Sequence, residues 1–122
     1  MKFYYEGQLV RTSKTHEYKY AVISTISNNK ALTCSATKDG AQTFINRYIN
    51  ERKDEIKTCE NIIRAIETGA KSFYAVYGRK TEYCKLREHY TIEYTKERIE
   101  ICKKAIERMT TSWKIVELEA RA

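Results

Sequence analysis

The sequence predicts an α+β fold, an antiparallel sheet in the order ββββ-α-ββ-α-β packed with two long helices. Three observations predict it. The first third consists of short runs rich in β-branched and aromatic residues, separated by turn residues. After Thr37 the apolar residues recur at spacings of three and four, which is the period of a helix. There are no prolines and only four glycines, so nothing would kink a long helix.

The elements follow in order. Lys2–Tyr5 and Leu9–Thr12 read as strands flanking Glu6-Gly7-Gln8, a short hairpin loop whose glycine suits a positive φ. Tyr18–Thr25 reads as the third strand. Asn28 and Asn29 tolerate left-handed backbone and mark a turn. Ala31–Ala36 then alternates, with Leu32, Cys34 and Ala36 on one face. The four strands are expected to form one antiparallel meander.

Thr37 is the expected N-cap of the first helix, with Asp39 in the first turn, where a carboxylate suits the helix dipole. Ile45, Ile49, Arg52, Ile56, Cys59, Ile63 and Ile66 form a heptad seam interrupted only by Arg52. Gly69 stands where a C′ glycine belongs. A helix of about 30 residues is roughly 45 Å long. Phe73–Tyr77 and Thr81–Leu86 read as a second hairpin around Gly78-Arg79-Lys80. A second helix begins near Thr91 and stops near Thr110, with Ile92, Thr95, Ile99, Cys102, Ile106 and Met109 as its seam. Trp113–Leu118 closes the order as a strand.

A chain of 122 residues is expected to be one α+β domain with a single core. A helix of that length overhangs a domain whose radius of gyration is about 14 Å. Its protruding seam then needs a partner chain, so a homodimer or higher symmetric oligomer is expected. No apolar run approaches a membrane span and no secretory signal precedes the first strand, which points to a cytoplasmic protein. Cys34, Cys59, Cys84 and Cys102 form no C-x-x-C pair and have no neighbouring histidine. They read as reduced, buried small hydrophobes, and neither a metal nor a cofactor is expected.

Charge and rings carry the functional reading. Lys and Arg number 23 against 16 Asp and Glu, a surplus that favours a phosphate-bearing partner. The sequence has no P-loop and no dinucleotide-binding glycine motif, and His16 and His89 stand in no Ser/His/Asp order, so no enzyme is expected. Ten tyrosines, three phenylalanines and one tryptophan supply flat rings, several of them beside cations. Phe73, Tyr77 and Arg79, then Tyr83 and Arg87, would form one ligand wall. Arg108, Thr110, Thr111 and Trp113 would form another. Arg11 and Lys14 end a strand in a polar-basic cluster. Equally, Phe73, Tyr83 and Trp113 suit a core. Arg52, with Lys57 and Arg64, marks a second anion site or an oligomer contact, because a seam arginine needs a carboxylate or a phosphate beside it.

The opening run Met1–Lys14 (Met-Lys-Phe-Tyr-Tyr-Glu-Gly-Gln-Leu-Val-Arg-Thr-Ser-Lys) and the closing Trp113–Glu119 look like those of small phage or prophage proteins from Gram-positive hosts. A β-rich start followed by two long helices resembles the type-one anti-Thoeris family, phage sponges for cyclic ADP-ribose signals. The resemblance implies an immune-evasion role without catalysis, in the host bacterial cytoplasm. It implies dimers that assemble into hexamers and hold a glycocyclic ADP-ribose in a recessed pocket between protomers. It also implies that cyclic di- or trinucleotides bind at a second site in some members. Two other classes suit the same sequence: a small inhibitor of a host protein or nuclease, and a basic nucleic-acid-binding protein. Against the last, the cations are spread along the chain and not massed in a stripe.

Overall fold

In a computed structural model, which describes residues 1–68 and 92–122, the chain is α+β, with six strands and two long helices among those residues. Strands β1 (Lys2–Tyr5) and β2 (Gln8–Thr12) pair antiparallel, Lys2 opposite Thr12 and Tyr5 opposite Gln8. Glu6 and Gly7 join them with φ of 49° and 80°. That is the two-residue, left-handed loop whose twist matches the strands it links. Strand β3 (Tyr20–Ser24) leads through a 3₁₀ turn (Thr25–Ser27) and the left-handed pair Asn28 and Asn29 into β4 (Lys30–Ser35). Helix α1 spans Lys38–Glu67 and helix α2 spans Ile92–Ser112. Strands β5 (Trp113–Glu117) and β6 (Glu119–Arg121) follow at once.

The order of strands and helices is the expected one, but the expected meander is divided. The strands form two antiparallel sheets of three, ordered β2-β1-β6 and β4-β3-β5. A meander would need a tight turn between β2 and β3. Residues 13–19 intervene instead, and they turn locally: the Ser13 hydroxyl accepts the N–H groups of Thr15 at 3.3 Å and His16 at 3.0 Å. The neighbours that β1 and β3 do not find in a meander come from the end of the chain, where the one closing strand expected is in fact two. Strand β5 pairs with β3, Val116 opposite Ala21, and β6 pairs with β1, Ala120 opposite Phe3.

Contacts divide these residues into two compact units, Met1–Ile49 with Arg108–Ala122, and Asn50–Glu107. In the first, β3 is buried on both faces. Ala21 and Ile23 point one way, onto Val116 and the half-buried Tyr5, Val10, Ala31, Cys34 and Leu118. Val22 points the other way, onto Ala41 and Ile45 of α1, with Phe44, Ile49, Trp113 and Ile115 around them. The sheet holding β3 is therefore the middle layer, with the β1 sheet on one side and the first turns of α1 on the other. Each fully buried Val or Ile there contributes about 2 kcal/mol of burial free energy.

Helix α1 starts where Thr37 places its hydroxyl, which accepts the Gly40 N–H at 3.0 Å as an N-cap. In the second unit Cys59, Ile62 and Ala65 of α1 and Thr95 and Cys102 of α2 are buried. The buried positions thus extend from the expected seam at Cys59 to its neighbours Ile62 and Ala65. The expected strands Phe73–Tyr77 and Thr81–Leu86, and the capping Gly69, lie outside the described residues. No described helix is long and apolar enough to cross a membrane.

Candidate functional site

Two left-handed turns come together at one end of the first unit and enclose a cavity of about 370 Å³. One wall is the β1–β2 hairpin: Tyr5, Glu6, Gln8, Leu9 and Val10. The other is the β3–β4 turn: Asn28, Asn29, Lys30 and Ala31. The volume lies within the range of small-molecule sites. Its lining combines an aromatic ring, three carboxamides, one carboxylate and one ammonium over a floor of Leu9, Val10 and Ala31.

Backbone strain gives each wall its shape. Glu6, Asn28 and Asn29 all have positive φ, at 49°, 55° and 58°. Asparagine tolerates that region, whereas glutamate adopts it at a cost of about 1 kcal/mol. Loss of hydration, then the hydrogen bond to the Glu6 carboxylate and that carboxylate's charge, push the Tyr5 phenol above its ordinary pKa. The carboxamides of Gln8, Asn28 and Asn29 each offer both a donor and an acceptor. The arrangement suits a ligand with a flat ring, several hydroxyl or amide groups and one negative charge near Lys30.

Of the residues expected to line a site, Arg11, Lys14, Arg108, Thr110, Thr111 and Trp113 are described, and none of them lines this cavity. Arg11 is exposed on β2, its guanidinium 4.7 Å from the centre of the Tyr18 ring. It also reaches Cys34 on β4: burial raises that thiol's pKa, and the charge and hydrogen bond of Arg11 oppose the rise. Arg11 thus ties the two sheets together. Lys14 is exposed in the turn after β2. Arg108, Thr110 and Thr111 are exposed on the last turns of α2, where the Thr111 hydroxyl donates to the Arg108 carbonyl at 3.4 Å. Trp113 is half-buried, its ring stacked 5.9 Å from Phe44 and edge-on to Tyr48 at 5.7 Å. It packs against the Val22, Ala41 and Ile45 cluster, as the core alternative anticipated. Phe73, Tyr77, Arg79, Tyr83 and Arg87 lie outside the described residues.

In the second unit Arg52 has a carboxylate beside it. Its Nη1 donates to Glu55 Oε2 at 3.2 Å, and Arg98 of α2 donates to Glu55 Oε1. Burial alone would raise the Glu55 pKa. Hydrogen bonds from Arg98 and Cys102, and the charges of Arg98 and Arg52, outweigh burial and hold it below the ordinary value. Burial pushes the Cys59 and Cys102 thiols up, with the Glu55 charge adding to both. Lys57 and Arg64 are exposed on α1. Among the described residues no cluster of three or more His, Cys, Asp or Glu is arranged to hold a metal ion.

Glu6, Gln8, Asn28 and Asn29 were legible in the sequence as turn residues and not as a lining, and Lys30 was not singled out. Their signal was the repeated left-handed turn chemistry. Only the two-sheet arrangement brings the turns together. Comparison with protein-family models, with curated proteins and with solved structures finds no match.

Proposed function

We propose that this chain binds a nucleotide-class signal in the turn cavity and sequesters it without turnover. The observation that carries the reading is the lining itself: a ring, three carboxamides and an ammonium around about 370 Å³. A nucleobase stacks on Tyr5, ribose hydroxyls and base edges meet the carboxamides and Glu6, and a phosphate meets Lys30. The chain's +7 formal charge draws an anion toward the protein. The resemblance of the β-rich start and two long helices to the anti-Thoeris family supplies the ligand class, a cyclic ADP-ribose isomer or a cyclic oligonucleotide. It also supplies the setting, immune evasion by a phage in its host's cytoplasm. The protein acts as a homodimer or a higher oligomer such as a hexamer.

Calorimetry with cyclic ADP-ribose isomers and cyclic dinucleotides tests this. Saturable binding is expected, weakened about tenfold or more by Lys30→Ala, the loss of one charge-assisted contact. Chromatography of the released ligand is expected to return it unaltered. No binding, or a chemically changed ligand, overturns the reading.

A further inference from the structure

The turn cavity holds two charges, and they stand on different walls. Glu6 belongs to the β1–β2 hairpin, and Lys30 opens β4 after the Asn28-Asn29 turn. The other lining residues are neutral, so this pair sets the polarity of the cavity. Among the described residues neither takes part in an ion pair, with the other or with a third group. One wall is therefore left to receive a negative group, and the other to receive hydrogen-bond donors.

A carboxylate accepts hydrogen bonds and donates none. Its two oxygens match the adjacent hydroxyls of an unsubstituted ribose diol. A phosphate on either hydroxyl would instead set two anions together. Tyr5 and Glu6 are successive residues of the same wall, so a base stacked on Tyr5 carries its ribose to Glu6.

The two ligand types admitted by the proposed function differ in where their charges lie. In cyclic ADP-ribose both negative charges sit on one pyrophosphate, and each ribose keeps a free diol. In a 3′,5′-linked cyclic dinucleotide the two phosphates lie on opposite sides of the ring, and each ribose has its 3′ oxygen esterified. The first type can set its charges at Lys30 and a diol at Glu6. The second can set one phosphate at Lys30 only by turning the other toward Glu6.

We infer that Glu6 is the selecting residue of the turn cavity. It admits a ligand whose phosphates lie together at Lys30 and whose unsubstituted diol faces Glu6, and it repels a ligand with phosphates on both sides. The inference rests on the reading of this cavity as a nucleotide site.

Calorimetry of the whole chain with cyclic ADP-ribose and with 3′,5′-cyclic di-AMP tests it. The wild type is expected to bind cyclic ADP-ribose about tenfold or more tightly than cyclic di-AMP. Glu6→Gln is expected to weaken cyclic ADP-ribose about tenfold and to strengthen cyclic di-AMP, with the circular dichroism unchanged. A purely structural role for Glu6 would move both ligands the same way. Glu6→Lys is expected to reverse the preference. A wild type that binds the two equally or prefers cyclic di-AMP, or a Glu6→Gln variant in which cyclic di-AMP gains nothing, overturns the inference and leaves the nucleotide reading in place. Binding of neither ligand by the wild type overturns both.

Discussion

Glu55 of α1 and Arg98 of α2 are joined by a charge-assisted hydrogen bond, with Arg52 on the other oxygen of the same carboxylate at 3.2 Å. One acid thus serves two arginines about a third exposed, on two helices distant in sequence. The arginine that interrupts the α1 seam is accommodated because Glu55 lies three residues further along the same helix.

Glu55→Gln is therefore expected to lower stability by about 1 kcal/mol at neutral pH, within the range of partly exposed ion-pair networks. The pH dependence follows from the depressed pKa. The unfolded chain takes up the Glu55 proton at its ordinary value, and the folded chain only below it. The contribution is present above the ordinary glutamate pKa and is lost as pH falls through the lower, folded one. Urea denaturation from neutral to acid pH is expected to show the wild-type and Glu55→Gln curves converging as pH drops. Parallel curves would count against the ion pair.

Gly40 fits where a side chain would not. A Cβ there would lie 2.3 Å from the Ser35 hydroxyl and 3.1 Å from the Thr37 hydroxyl. Gly→Ala in a helix ordinarily stabilises by about 1 kcal/mol. Gly40→Ala is expected to be neutral or destabilising instead, since Ser35 accepts the Thr37 N–H at 3.2 Å and holds its position. Adding Ser35→Ala should recover part of the helix gain, because the Ser35 Cβ is an acceptable 3.5 Å away. Thermal unfolding of the single and double variants measures the coupling.

Trp113 is expected to behave as a packing residue. Trp113→Ala should cost about 3 kcal/mol through lost burial and a residual cavity. Phe44→Ala should perturb the same site. The chain has one tryptophan, so its emission reports this cluster alone. Nucleotide addition is expected to leave that emission unchanged, and a ligand-dependent quench would place Trp113 in a binding site.

Glu6 holds a left-handed backbone at φ 49° next to Gly7 at 80°. Glu6→Asn is expected to stabilise the hairpin by about 0.5–1 kcal/mol, because asparagine adopts that region more readily. The Tyr5 phenol should return toward its ordinary pKa in this variant, since the hydrogen bond and the carboxylate charge that help raise it are gone. Absorbance titration of the tyrosines checks the second effect independently of stability.

Local chemistry was legible wherever it acts within a few residues. Thr37 announced the start of α1, Asn28 and Asn29 announced a turn, and the periods of three and four announced both helices. The partner of Arg52 could be sought on its own helix. Arg98 could not be, because its approach depends on how α1 and α2 run beside each other at that point. Strand pairing was misread for the same reason. Alternation shows which face of β3 is apolar, but not that its second neighbour is β5, whose first residue is Trp113. The cavity was missed because it belongs to two turns separated by residues 11–27, and no spacing rule connects them.

Both sheets take their third strand from residues 113–121. During synthesis on a ribosome, the opening hairpins emerge first and wait with β1 and β3 each lacking a neighbour, while residues 36–112 are still being made. Such sequence-distant closure slows folding and leaves unpaired edges available to other chains. A nascent chain stalled before Trp113 would therefore present both edges to chaperones or to aggregation. Emergence of residues 113–121 is the event that seals them.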